Sequence, residues 1–323
     1  MFRHYKPFLG VLVASVLMAI PAAAASSAIP GTLNYVEGQV TVAGQPVTSH
    51  SVGLVQVEPN QVLETEQGRA EILLTPGVFV RVGDNSAVRL VSPGLADTRI
   101  EVLRGQAIVE VAELFKDNNL WIMMNGASTR LEKEGLYGFN ATSRVVQVFD
   151  GQATAQQGDR HIDLKKDRQF VFGGPWKATH FDPKTQAAQD PLYAWSNLRS
   201  EYEAEASMQS ARTVFVGGGS YWDGPGWYWN PYWSMYGFIP GDGIWYSPFG
   251  WPFYSPWAYG YGFGYGLGGY GRGGFAVRGH GHVAGAAIAS SGRFAGSSAR
   301  SGGGFGARGF AGGMHGGFGG GHR

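Results

Sequence analysis

The side chains that could do chemistry here fall into four groups: two carboxylate pairs, a few histidines, a glycine-arginine run and a crowd of tryptophans. Glu110/Glu113 and Glu132/Glu134 are close enough in sequence for general acid–base work, which needs two carboxyl groups held at different proton affinities. The first pair sits beside a strand end and the second beside a turn. Both settings suit solvated surface, so neither is expected to be a catalytic dyad. His280, His282, His315 and His322 offer imidazole, a common ligand for transition metals, but glycine-rich surroundings supply no second shell to fix them. Histidines on a flexible tail are the expectation, and no metal is assigned. Gly269-Tyr-Gly271-Arg-Gly-Gly274 matches G-x-G-x-x-G, yet no strand precedes it and no acidic residue follows it, so no dinucleotide cofactor is expected. Arg272-Gly-Gly and Arg278-Gly look like nucleic-acid-binding RGG runs, but an exported chain rarely meets that partner, and none is expected. G-x-S-x-G, H-E-x-x-H and cysteine nucleophiles are all missing from the sequence. The chain is therefore not expected to be an enzyme; a carbohydrate-active site assembled from distant residues is the remaining catalytic alternative.

Seven of the ten tryptophans lie within Tyr221–Tyr265: Trp222, Trp227, Trp229, Trp233, Trp245, Trp251 and Trp257. Such a cluster suits a sugar-stacking surface, an interfacial patch, or a cap packed on a neighbouring domain. Proline and glycine interrupt it at nearly every turn, as in Trp227-Tyr-Trp229-Asn-Pro231, which favours a chain folding back on itself. A structural cap is preferred over a ligand platform. If it is a platform, these seven residues are the contacts, and the partner is an envelope polysaccharide or protein.

The elements that must position these residues are mostly strands. Ile100–Val111 alternates apolar and other residues on both sides of Gly105. The same phrase recurs around Gly38 and Gly151, which suits strand, glycine kink, strand. From Leu33 to Phe172, short Val/Ile/Leu runs alternate, as in Ala70/Ile72/Leu74, Val78/Val80/Val82 and Ala107/Val109/Val111. Turn signals such as Pro76-Gly77 and Asn125-Gly126 separate them. One side of each strand should face a shared core, and an all-β domain over 26–180 is the expectation. A helix follows within 186–213, running over Asp190–Arg212 with Asp190 as N-cap and Pro191 at its first turn. Leu192, Trp195, Leu198 or Arg199, Tyr202 and Ala206 would form its apolar stripe, and Glu201, Glu203 and Glu205 its wet side. The aromatic, Gly/Pro-rich segment covers 217–265, and a glycine-rich tail, 266–323, is expected to be disordered.

Residues 1–25 have a basic start, an apolar core over Phe8–Ala19 and the small run Ala23-Ala24-Ala25, the pattern of a cleaved secretory signal. The apolar run is short for a transmembrane span, and an uncleaved anchor is the alternative. Cysteine is absent, so an exported chain would fold without disulfides and without a lipid-bearing N-terminal cysteine. The net charge is +1, but all six basic residues after Asp242 are arginines and no acidic residue follows it, so the rest of the chain is net acidic. A basic tail of this kind suits contact with anionic envelope polymers, or simply a solubilising linker.

Gly38–Val47, Val62–Leu90 and Ile100–Val111 resemble the FecR domain of bacterial envelope proteins. That family has a segment T-x-x-G-x-A-x-L-x-L-x-x-G, then an arginine between two apolar residues, then a strand pair. Thr65, Gly68, Ala70, Ile72, Leu74, Gly77, Val80, Arg81 and Val82 stand in those places. The resemblance spans Leu33–Phe172; where relatives have a Gly-Thr pair before the aromatic strand, this chain has Tyr137-Gly138-Phe139. It implies an all-β module and carries over no catalytic residue. In the family's signalling branch the periplasmic domain reads an outer-membrane receptor while a cytoplasmic part controls a sigma factor, and no such part is expected before residue 25. The expectation is an exported, periplasmic or cell-surface, non-catalytic binding or scaffold module. A sensor working with a separate membrane or sigma-factor partner is the alternative.

Overall fold

Three glycines set the course of the main sheet. Gly38, Gly105 and Gly151 have φ of 69°, 70° and 95°, a region costly for any side chain. A Cβ on Gly105 would fall 2.2 Å from Ser86 Oγ, and one on Gly151 2.2 Å from Tyr137 Oη. Gly38 kinks a single strand at a shift of register, whereas Gly105 and Gly151 each stand between two strands and pass the chain to new pairing neighbours.

The structure, a computed structural model, describes residues 28–219 and 222–264. The expected signal segment, the tail histidines, the G-x-G-x-x-G run and the arginine-bearing tail lie outside the described residues. The strands of the main sheet are β1 (Leu33–Val42), β2 (Gln45–Val47), β3 (Val62–Leu73), β4 (Val78–Val82), β5 (Ala87–Gly94), β6 (Asp97–Arg104), β7 (Gln106–Val111), β8 (Leu120–Met124), β9 (Ala127–Leu131), β10 (Gly135–Asn140), β11 (Val145–Asp150), β12 (Gln152–Gln157), β13 (Arg160–Lys165), β14 (Arg168–Val171) and β15 (Thr179–His180). Their order is β13-β12-β9-β8-β6-β5-β3-β4-β7-β10-β11-β14-β15, with β1 paired to β3 and β2 to β1. Neighbours run antiparallel except β6 and β8, which are parallel.

The alternating positions behave as the pattern requires. Ala70, Ile72 and Leu74, Val78, Val80 and Val82, and Ala107, Val109 and Val111 join one continuous core that also takes in residues of β1, β5, β6, β8, β9, β11, β12 and β14. One face of the sheet wraps around this core. The fold is all-β with one long helix, as the sequence pattern implies.

The opposite face of the central strands is also covered, which alternation does not reveal. Every residue of β4 is buried. The cover begins with α1 (Pro183–Gln189) and α2 (Pro191–Val216). Asp190 ends the first and caps the second, its Oδ1 accepting from Leu192 N at 2.9 Å, so the expected helix gains a short partner at its start and four residues at its end. Two hairpins follow, β16 (Gly226–Asn230) with β17 (Met235–Ile239) and β18 (Ile244–Tyr246) with β19 (Pro252–Tyr254), then α3 (Pro256–Gly264). The proline- and glycine-rich segment does fold back on itself in tight turns.

The stripe assigned to the long helix needs correction. Leu192, Trp195, Arg199 and Ala206 are buried, but Leu198 and Tyr202 are exposed. Glu203, expected on the wet side, is fully buried, while Glu201 is exposed and Glu205 half-buried. Much of the buried face of α2 is small or polar: Ser196, Arg199, Ser200, Glu203, Ala204, Ser207 and Ser210. Small residues let β17 come close, and a Cβ on Gly237 would fall 2.9 Å from Ser207 N.

Candidate functional site

The surface that could bind a partner rests on a buried ionic layer between the sheet and α2. β3 and β4 are paired so that Glu71 stands opposite Arg81, and Phe79 opposite Glu110 on β7. These side chains alternate away from the valines of the main core, so they point at α2. Arg81 Nε donates to Glu71 Oε2 at 2.6 Å, and its Nη1 donates to Glu110 Oε2. Arg199 Nη2, from α2, donates to Glu71 Oε1 and Glu203 Oε1, both at 2.9 Å. Ser200 Oγ donates to Glu110 Oε1 at 2.8 Å. Asn34 Nδ2 donates to Glu203 Oε1 at 2.7 Å and to Glu71 Oε1 at 3.1 Å, while its Oδ1 accepts from Tyr236 N of β17 at 2.8 Å. Asn34 thereby ties β1 to both the helix and the cap.

The charge of this layer balances when Glu203 carries a proton. Burial raises the Glu203 carboxyl well above its ordinary range, and the neighbouring Glu71 charge adds to the rise. Burial also pushes Glu71 up, but the guanidiniums of Arg199 and Arg81 outweigh it and hold that carboxyl well below its usual range. Glu110 is raised by burial against the pull of Arg81. Burial lowers both arginines, but their carboxylate neighbours outweigh it, keeping the guanidiniums charged. Two carboxylates then face two guanidiniums. Glu203 Oε1 accepts from Asn34 and Arg199, while Oε2 is buried without a hydrogen-bond partner.

Glu110 and Glu113 were expected on solvated surface; both are buried. Glu110 belongs to the ionic layer, and Glu113 lies past the end of β7, where burial first, then Glu134 and Asp242, push its carboxyl up to about 7. Glu132 and Glu134 are exposed. The local sequence around Glu110 gives no hint of its partners, because Arg81, Ser200 and Arg199 come from distant elements.

Above this layer the aromatic segment divides into rings facing in and rings facing out. Leu73, Phe79 and Ala112 of the sheet meet Ala204, Trp227, Tyr236, Phe238 and Phe253 in one cluster. Phe79 and Trp227 pack edge to face at 5.0 Å, and Trp227 Nε1 donates to Leu74 O at 3.3 Å. Each fully buried ring of this kind contributes roughly 1.5–3 kcal/mol through lost contact with water. Trp229 packs on Tyr236 at 5.1 Å, and Trp251 Nε1 donates to Asn197 Oδ1 at 2.8 Å. Trp222 and Trp245 are half-buried; Trp245 Nε1 donates to Asp242 O at 2.9 Å. Trp257 is exposed and faces Phe215 at 6.4 Å.

Trp233 belongs to a trio of rings shared between the β16–β17 turn and α2. It lies 5.4 Å from Tyr202 of α2 and 5.4 Å from Tyr232, which is 79% exposed. Asn230 holds the turn: its Oδ1 accepts from Tyr232 N at 3.0 Å and Trp233 N at 3.2 Å, and its Nδ2 donates to Ala206 O at 3.2 Å. The hairpin is thus anchored to the helix that supplies the third ring. Trp233 was a sequence candidate; Tyr202 and Tyr232 were not, and the docking of the β16–β17 turn on α2 brings Tyr202 to the other two. Among the described residues, no group of three His, Asp or Glu side chains is placed to hold a metal ion. No described helix is long and apolar enough to cross a membrane.

Thr65, Gly68, Gly77 and Arg81, which stand in the places of the FecR-like motif, all make structural contacts. Thr65 Oγ1 donates to Gly83 O at 2.5 Å and accepts from Ser86 N at 3.0 Å. Gly68 lies against the β1 backbone opposite Gly38. Gly77, at φ 82°, leaves 2.9 Å between a Cβ and Glu113. Arg81 is the hub of the ionic layer.

No protein-family profile matches the chain, and no curated protein matches it. Among solved structures it is similar to two of a candidate anti-sigma factor from Parabacteroides distasonis ATCC 8503, at 14% and 13% identity and a TM-score of 0.35 in each case. These matches cover 39% of this chain and 62% and 63% of those chains, so the likeness spans less than two thirds of either relative.

Proposed function

We propose that this is an exported, non-catalytic FecR-like module that binds an envelope polysaccharide through the ring trio Tyr202, Tyr232 and Trp233. The observation that carries the reading is the trio's construction. Three aromatic side chains from two elements are open or half-open, and Asn230 fixes their turn to α2. Rings held in place bind with little loss of side-chain freedom, and their faces suit the C–H side of a sugar. The large charged cluster beneath is fully buried and its arginines are paired with its own carboxylates, which supports a supporting role for it instead of acid–base chemistry. The basic start, apolar core and small run of residues 1–25 support export.

Co-sedimentation of the exported protein with purified cell-wall glycan tests the reading. Tyr232→Ala and Trp233→Ala should each weaken retention at least about fivefold, as for residues at the centre of a contact surface. Trp257→Ala, in a different ring cluster, should leave it unchanged. Wild-type retention of both trio variants, with unaltered unfolding midpoints, would refute the assignment.

A further inference from the structure

A second recess, unrelated to the aromatic trio, lies on the same face of the sheet near the start of α2. Gln106 of β7, Asn140 of β10, Gln147 of β11 and Gln169 of β14 share that face in adjacent register. Asn140 stands opposite Gln106, and Gln147 stands opposite both Gly138 and Gln169. Gln186 of α1 and Asp190 close one side. The groove has a volume of about 190 Å³. Its floor is low because Gly138, between Ile108 and Gln147, has no side chain. The φ of Gly138 is not in the left-handed region, so its backbone does not require glycine, but the space is tight, as a Cβ would sit 3.0 Å from the Phe149 ring.

The lining carries spare hydrogen-bonding capacity of both signs. Gln147 Nε2 donates to Gln169 Oε1 at 3.1 Å, which fixes both amides and leaves Gln147 Oε1, over Gly138, and Gln169 Nε2 with no side-chain partner among the described residues. The side-chain amides of Gln106 and Gln186 have no hydrogen-bond partner among the described residues, and both are half-buried. An amide both donates and accepts, as does a hydroxyl. Asp190 is the one charged residue of the lining, and its carboxylate is already held by Leu192 N and Tyr193 N. An anionic ligand would lose hydration here and meet only the like charge of Asp190.

We infer that this amide-lined groove is a subsite for one neutral, polyhydroxylated sugar ring. The volume is below that of sites for drug-sized ligands, roughly 300–1,000 Å³, and suits a single ring. Neighbouring amides held at strand spacing meet adjacent hydroxyls.

The test is side-chain amide NMR of the full chain, titrated with methyl glucoside, N-acetylglucosamine and glucuronate. The amides of Gln106, Gln147 and Gln169 should shift saturably with at least one neutral sugar, at millimolar affinity, about 4 kcal/mol. Glucuronate should bind at least tenfold more weakly. Gln147→Ala should lower the affinity at least tenfold. Gln186→Ala, on an exposed helix that carries no sheet pairing, should lower it severalfold even if the strand variant proves unstable. Tyr232→Ala should change nothing, which separates this groove from the aromatic trio. Absence of saturable shifts with either neutral sugar, glucuronate binding as tight as theirs, or unchanged affinity in Gln186→Ala would overturn the assignment.

Discussion

Replacing Glu71 and Glu203 in turn by glutamine should give different results, although both are fully buried and both contact Arg199. Glu71→Gln removes the carboxylate that accepts from Arg81, Arg199 and Asn34. Arg81 would keep Glu110 and Arg199 would keep only the raised Glu203 carboxyl, and breaking a buried ion pair of this kind costs about 3–5 kcal/mol. For a folded unit of this size that is a fall of roughly 10 °C in the unfolding midpoint. Glu203→Gln replaces a carboxyl already protonated in the fold. The amide oxygen can keep the bonds from Asn34 and Arg199, with the NH2 group in place of the O–H. The NH2 group finds no acceptor there, so the cost should be about 1–3 kcal/mol, still below that of Glu71→Gln. Urea unfolding at pH 7, followed by circular dichroism, reads both values. Equal destabilisation by the two variants would refute the charge assignment, as would a larger effect at Glu203.

Glu113 gives a pH-dependent counterpart. Its folded pKa of about 7 lies above the ordinary 4.5, so the folded state holds the proton longer, and stability falls as pH rises from about 4.5 to about 7. The gap corresponds to about 3 kcal/mol, reduced to about 1–2 by water at the edge of the core. Glu113→Gln should be more stable than wild type by that amount above pH 7 and equal to it below pH 4.5; a pH-independent difference would contradict the assignment. Gly105→Val and Gly151→Val should each cost at least about 2 kcal/mol, since strain at positive φ adds to collisions with Ser86 and Tyr137. Chemical denaturation checks both, and a wild-type midpoint in either would remove the kink argument. Tyr137→Phe should cost about 1–3 kcal/mol, because the hydroxyl donates to Lys133 O at 2.5 Å and accepts from Gln152 N at 3.2 Å beside the Gly151 kink. An unchanged thermal midpoint would show that water replaces both bonds.

The main sheet was legible because its inner face is written locally. Ile72 and Leu74, or Val80 and Val82, announce a strand within a few residues, and glycines mark where strands bend. The outer face was not legible, since its meaning depends on residues far apart in the chain. Arg81 between Val80 and Val82 gives no sign that Glu71 and Glu110 flank it, or that Arg199 will arrive from a helix. The same holds for Glu203: a helical face of serine, arginine and glutamate scores as wet until the sheet opposite supplies matching charges. Asp190 was readable as a cap because capping is a local event. Within the aromatic segment, tryptophan density located the cover but not its two sides. Trp227 faces in because Phe79 and Leu74 wait beneath it, and Trp233 lies half-open because Asn230 turns the chain there. Tyr202 and Tyr232 carry no sequence signal beyond being tyrosines.

The central claim is that the aromatic segment covers the sheet with its inner rings and binds glycan with an outer trio. Fluorine NMR of protein labelled with 5-fluorotryptophan addresses it most directly, with resonances assigned by single Trp→Phe variants. On addition of soluble cell-wall glycan, the Trp233 resonance should shift and saturate, while that of Trp227, 4% exposed, should stay in place. A static Trp233 resonance at saturating glycan, or a shift of Trp227 as large as that of Trp233, would contradict the account.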